Sequence, residues 1–280
     1  MEPKQPPPDM ERTLERTPPG LADEEGLATD RQFATNLARG LEVLRAFTPS
    51  SPVLGNQDIV VRTGLPKATV SRLTYTLGLL GFLSRVPGNQ KYRLGAGVLA
   101  LAYPMLAGLA IRQVARPYME AIARETGCTV NLGMRERLSV VYVDSCRLDP
   151  GNFYQPDIGS TRPLLASAIG RAVLLACSAD ERTAVLNRLR VADPERFHQE
   201  KAMWANDQKH YRTHGYCVSR GEWRPEIHAI AAPIRQSLHE DPFALNCTIA
   251  AARNRDNMLE REVAPRLREA VRQIELNCAR

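Results

Sequence analysis

At 280 residues, with 44% hydrophobic and 24% charged side chains and a mean hydropathy of −0.31, the chain has the composition of a globular protein and the length of about two domains. That balance excludes a multispanning membrane protein and a wholly disordered chain. The formal charge of +6 is unevenly spread: residues 1–30 hold three Lys/Arg against eight Asp/Glu, whereas residues 31–95 hold nine against two, a surplus that suits a polyanion such as nucleic acid or simply keeps a domain soluble.

The first thirty residues place Pro3, Pro6, Pro7, Pro8, Pro18 and Pro19 among charges with little to bury, which predicts a disordered tail over 1–30. No charged segment leads into an apolar one at the start, so a cytoplasmic protein without a signal peptide is expected. From Asn36, Leu37, Leu41, Val43, Leu44 and Phe47 recur at helical spacing until Thr48-Pro49-Ser50-Ser51-Pro52. A second apolar set, Leu54, Ile59, Val60 and Val61, ends at Gly64, a turn residue. Pro66 then suits the first position of a helix whose stripe of Val70, Leu73, Leu77 and Leu80 is to be buried. Lys67, Thr69, Ser71, Arg72 and Thr74 fall on the opposite face, donors matched to phosphates and base edges. Two helices joined at Gly64 make a helix-turn-helix. Phe82–Val86 and Lys91–Leu94, joined by Pro87-Gly88-Asn89-Gln90, read as a basic hairpin, giving a winged helix-turn-helix over 31–95 rather than a plain three-helix bundle with a polar face.

Residues 94–111 carry no charge but are interrupted by Gly95, Gly97, Pro104 and Gly108, so a packed helix over Val98–Leu109 is expected in place of a membrane span, within a linker over 96–112. Pro104 predicts a kink or break near Tyr103. A helix from Ile111 to Glu125 ends at Gly127. Strands follow at Thr129–Met134 and Val140–Cys146, then helices at Ala166–Ala176, Ala179–Arg190 and Phe197–His214. Strands at Ile227–Pro233 and Phe243–Ala251 precede a last helix through Val263, Leu267, Val271 and Ile274. The order predicts an α+β domain over 113–280 with a mainly antiparallel sheet flanked by helices.

Four stretches, Leu37-Ala38-Arg39-Gly40-Leu41-Glu42-Val43-Leu44, Thr63 to Leu73, Tyr92-Arg93-Leu94-Gly95 and Ala168-Ile169-Gly170-Arg171-Ala172, make the chain resemble the IclR family of bacterial transcriptional regulators over residues 35–275. The resemblance implies a winged helix-turn-helix, a linker helix that dimerises and a GAF-like effector domain. It also implies binding to double-stranded operator DNA as a homodimer or dimer of dimers, and a response to a small organic acid, aromatic in many relatives. No cofactor, metal or membrane is called for, and no enzymatic activity is expected. Carried over, the recognition helix starts at Pro66, with Lys67, Thr69, Ser71 and Arg72 on DNA. Arg39 approaches a phosphate, and Lys91 and Arg93 in the wing reach backbone or minor groove. Arg72 would read a guanine edge or clamp a phosphate. The effector pocket falls on Gly159, Ser160 and Ser167, then Glu222 and Ala229, then Asn246 and Thr248, where Ser160, Asn246 and Thr248 would orient a carboxylate or hydroxyl, or else serve as turn and strand residues. Trp223 and Arg224 depart from the family pattern. Trp223 would stack on a ligand ring or plug the pocket, and Arg224 would pair with an acid or face water.

Two rivals remain. One is a regulator whose plugged pocket takes no ligand. The other is an enzyme built on Cys217 or on a metal held by His198, His210, His214 and His228, of which His210 and His214 stand four apart without a third ligand at fixed spacing. The six cysteines form no Cys-x-x-Cys pair, and neither a Gly-x-Ser-x-Gly elbow nor a phosphate-binding glycine loop is present.

Overall fold

The computed structural model describes residues 31–147, 156–235 and 241–279; the tail expected over 1–30 lies outside the described residues. The chain divides into two compact units, the first ending at Ala107 and the second beginning at Gly108.

The first unit runs α1 (Thr35–Arg45), β1 (Leu54–Gly55), α2 (Asn56–Thr63), α3 (Lys67–Leu79), β2 (Leu83–Arg85), β3 (Lys91–Leu94) and α4 (Ala96–Gly108). Val43, Phe47, Leu54, Ile59, Leu65, Val70, Leu77, Leu83 and Tyr92 form its core. The three short strands pair antiparallel in the order β1-β3-β2, so the expected hairpin gains a third strand from the segment before α2. Gly64 ends α2 in the left-handed region, at φ 69°, with its N–H on the Val60 carbonyl at 2.8 Å. Helix α3 starts at Lys67, one place later than expected, with Pro66 just before it.

The buried line of α3 is Val70, Thr74 and Leu77, which corrects two expectations. Thr74 is inside, its single hydroxyl proton within reach of the Val70 carbonyl at 3.0 Å and Asn56 Oδ1 at 3.2 Å, so a local bond removes the penalty of burying it. Leu80 is 61% exposed because the helix has already ended. Leu37 and Leu41 are also exposed, since α1 turns the line of Gly40 and Val43 inward, with Gly40 against Leu73, and Val61 is exposed on α2, which buries Ile59 instead.

The break predicted near Tyr103 is absent. Helix α4 continues through Pro104 to Gly108. One missing N–H and one ring clash cost about 3 kcal/mol, and the surrounding Leu and Ala residues are strong helix formers that outweigh it. Contrary to the packed helix expected here, none of its residues is buried and Leu99, Leu101, Tyr103 and Met105 are exposed, while its first turn is tied back by Gly97 N–H on the Gly81 carbonyl at 3.2 Å. Among the described residues, no single helix is long and apolar enough to cross a membrane.

The second unit continues with α5 (Ala110–Thr126), β4 (Thr129–Glu136), β5 (Ser139–Cys146), β6 (Thr161–Pro163), α6 (Ala168–Ala176), α7 (Ala179–Ala192), α8 (Pro194–His214), β7 (Cys217–Arg220), β8 (Ile227–Ile234), β9 (Phe243–Ala250) and α9 (Ala264–Cys278). Six strands form one antiparallel sheet in the order β6-β5-β4-β9-β8-β7. Helix α6 lies on one face, where Val140, Tyr142, Leu164, Ile169, Val173, Trp204, Cys217 and Ala231 make a core. Helices α5 and α9 pair on the other with their own buried row of Ile111, Met119, Ile122, Leu267, Val271 and Ile274. Arg116 on α5 donates to Asp144 of β5 at 2.9 Å on that side. The architecture is α+β, as the order of elements predicts. The two edge strands β6 and β7 are new, and each is too short and too polar to show alternation.

Candidate functional site

In the first unit the anchored stripe of α3 leaves Lys67, Ala68, Ser71, Arg72, Tyr75 and Leu79 on the open side, and the helix carries no Asp or Glu. Lys67, Ser71 and Arg72 are exposed, while Thr69 is half-buried. Tyr75, 63% exposed, lies one turn beyond Ser71 and Arg72 and adds a ring and a hydroxyl that the sequence reading passed over, although the i+3 and i+4 offsets place it there. In the hairpin, alternation turns Tyr92 into the core and leaves Lys91 and Arg93 outward, with Ser84 opposite Arg93. The turn is closed by Val86 N–H on the Lys91 carbonyl at 2.9 Å and by Lys91 N–H on Asn89 Oδ1 at 3.0 Å. Arg39 is half-buried on α1. Arg62 holds the Ala46 carbonyl at 2.8 Å and so braces the end of α1.

The second unit holds a pocket between the sheet and the start of α6. Of the residues assigned to an effector site by the resemblance or by their place beside it, Ser167, Trp223, Ala229, Asn246 and Thr248 line it. A bulge at Leu132/Gly133 sets the pocket floor. It places Tyr142 opposite Gly133 and Ser145 opposite Asn131, which itself faces Asn246. The result is a buried polar chain: Ser145 Oγ donates to Asn131 Oδ1 (2.8 Å), Asn131 Nδ2 to Asn246 Oδ1 (2.9 Å), and Asn246 Nδ2 to the Tyr142 hydroxyl (3.2 Å). Thr248 donates to the Thr129 carbonyl at 3.3 Å. Ser167 caps α6, accepting from Gly170 N–H at 3.1 Å and donating to the Pro163 carbonyl at 2.6 Å.

Over this floor lies Arg162 of β6, 7% exposed, its guanidinium 4.6 Å from the Tyr142 ring centre and 4.7 Å from that of Trp223. Arg224 sits 4.8 Å from the same Trp223 ring. The lining therefore carries two arginines and no carboxylate. The cavity left is ≈ 20 Å³, room for about one water.

Three expected residues stand outside. Gly159 and Ser160 flank β5 instead, through Gly159 N–H to the Tyr142 carbonyl (2.8 Å) and Tyr142 N–H to the Ser160 carbonyl (3.0 Å), and the Ser160 hydroxyl is used on the Asp157 carbonyl. They position Tyr142 without lining the cavity. Glu222 accepts from Ser219 Oγ and from Arg220 N–H. Partial burial pushes its carboxyl up, but those hydrogen bonds outweigh it and leave the group below its usual value. Tyr142, Arg162, Ala168, Ile169, Ser219 and Ile227 line the cavity without having been assigned to it from the sequence. Arg162 and Ser219 sit on the two edge strands that show no pattern, and Tyr142 joins only because of the bulge.

Behind the pocket, Arg171 of α6 is 1% exposed and donates to Asp207 of α8 and to the carbonyls of Leu165 and Val218. His210 and His214 stack at 4.3 Å beside Tyr216, and burial, then the charge of His214, pushes the His210 imidazole down. Among the described residues no group of three His, Cys, Asp or Glu could hold a metal ion. All six cysteines are buried free thiols, and desolvation pushes Cys217 well above the usual thiol value, the opposite of an activated nucleophile.

Two family descriptions match the chain: "IclR helix-turn-helix domain" over residues 36–87 and "Bacterial transcriptional regulator IclR C-terminal" over residues 104–276. Both describe transcriptional regulators and not enzymes. The chain is 33% identical over 244 residues to the HTH-type transcriptional regulator TsaQ1/TsaQ2 of Comamonas testosteroni, covering 86% of this chain and 87% of that one. Among solved structures it resembles an IclR family transcriptional regulator from Brucella abortus (TM-score 0.79, 41% identity, 89% and 94% of the two chains). It also resembles an IclR homologue from Microbacterium hydrocarbonoxydans complexed with 4-hydroxybenzoate (TM-score 0.64, 27% identity, 87% and 99%).

Proposed function

The chain belongs to the IclR family of bacterial transcriptional regulators, and from that premise we propose that it is a cytoplasmic, effector-responsive regulator that binds operator DNA as a dimer or dimer of dimers. Residues 31–95 form the DNA-binding part, 96–112 the linker and 113–280 the effector domain. Lys67, Thr69, Ser71 and Arg72, with Tyr75 beside them, enter the major groove. Lys91, Arg93 and Arg39 meet the backbone. The observation that carries this reading is the acid-free open face of α3, held in place by Val70, Thr74 and Leu77 from behind.

The effector is a small organic acid, taken up by Ser167, Ala229, Asn246 and Thr248 under Arg162 and Arg224. The two lining arginines support an anion, and the 4-hydroxybenzoate complex of the Microbacterium relative supports an aromatic one. The exposed apolar helix α4 supports self-association. Binding of the acid shifts the population between two separations of the recognition helices. A coupling of about 1–3 kcal/mol changes operator occupancy about five- to 150-fold. Fluorescence anisotropy on duplexes from the chain's own upstream region, with and without a panel of organic acids, tests both halves. A pocket permanently closed by Trp223 is the second reading, favoured by the small space beside its ring.

A further inference from the structure

We propose that Trp223 is a built-in stand-in for the effector: its indole holds the ring position of the pocket on the Arg162 guanidinium, and an aromatic carboxylate acts by taking that position from it. This rests on the reading of the pocket as the effector site.

Arg162 lies within stacking distance of two rings, those of Tyr142 and Trp223, and the two are held very differently. Tyr142 stands on a central strand with its hydroxyl bonded to Asn246. Trp223 projects from the short connection between β7 and β8, which opens at Gly221 with φ 104°, and its side chain is only partly buried. A ring-bearing ligand cannot enter a space for about one water unless a lining group leaves. Trp223 is the aromatic lining group that can leave without breaking the sheet. An aromatic acid then restores what is lost. Its ring replaces the indole over the cation, and its carboxylate meets Arg162, Arg224 and the start of α6, where Ser167, Ala168 and Ile169 line the pocket. An aliphatic acid of the same charge restores only the second of these. Exchange of the rings thus makes the pocket select for aromatic anions, and it moves the β7–β8 connection when it does so.

The test is calorimetric titration of the full chain with benzoate and with cyclohexanecarboxylate, alongside tryptophan emission, on wild type, W223A and R162Q. Benzoate should bind W223A about three- to thirtyfold more tightly than wild type, because the competing stack is gone. Benzoate should shift the wild-type emission and leave that of W223A unchanged, since the remaining Trp204 is buried in the core. R162Q should lose the preference for benzoate over cyclohexanecarboxylate. Equal or weaker benzoate binding by W223A, or benzoate binding to wild type without a change in emission, overturns the stand-in and leaves the effector site standing. Binding that appears only in W223A marks a permanent plug and overturns the exchange. No binding of either acid to wild type or W223A overturns the effector-site reading as well.

Discussion

The hydroxyl of Tyr142 on β5 accepts a hydrogen bond from Asn246 on β9 across the full width of β4, and its ring passes over Gly133 to do so. A Cβ at Gly133 would stand 2.7 Å from Val140, 2.8 Å from Ile169 and 3.3 Å from Tyr142. Gly133→Ala should therefore destabilise the second unit by about 1–3 kcal/mol, read as a fall of several degrees in Tm, and weaken acid binding because Tyr142 is pushed off Asn246. An unchanged Tm would show that the floor yields more easily than the packing indicates.

The Arg171–Asp207 pair ties α6 to α8 and, through the Val218 carbonyl, to β7. Asp207→Ala strands a buried guanidinium and should cost about 3–5 kcal/mol in urea unfolding. Replacing both partners, Arg171→Met with Asp207→Leu, should cost less than the single change, since no charge is left uncompensated.

His210 gives the stability a pH dependence. Burial and His214 lower its folded pKa, so the folded state holds fewer protons there than the unfolded chain. Its contribution is present above the ordinary histidine value near 6.5 and is lost as pH falls from there through the lowered folded value. His210→Gln should flatten the acid-side decline of Tm relative to wild type. Parallel Tm-against-pH curves would assign that decline to other groups.

The frame of both units was legible in the sequence because it is written in period and punctuation. The turn at Gly64, the hairpin around Gly88, the end of α5 at Gly127 and the central strands all follow from residue type and spacing. The pocket was legible only in part. Asn246 and Thr248 lie on the regular strand β9 and Ser167 caps α6, and all three line the cavity. Arg162 and Ser219 sit on three- and four-residue edge strands, and Tyr142 reaches the pocket through a bulge that no local pattern announces. Thr74 and Leu80 were exchanged between inside and outside, since a stripe read at spacings of three and four drifts once the helix stops. Pro104 by itself signals a break, but the helix formers around it carry α4 through.

Helix α4 presents Leu99 and Tyr103 one turn apart, 71% and 68% exposed. Charges at both, L99D with Y103D, should lower the molar mass seen by light scattering to that of a single 31.1 kDa chain, with the melting of the second unit unchanged. A retained oligomer would place the self-association elsewhere.

The central claim is that the open face of α3 meets DNA phosphates and bases. It is tested most directly by anisotropy of a labelled duplex from the upstream region, titrated with wild type and K67Q/R72Q across a salt series. The double variant should bind more weakly, and its log–log salt slope should fall by about 0.9 for each phosphate contact removed. Equal affinity and equal slope for the two proteins would contradict the account.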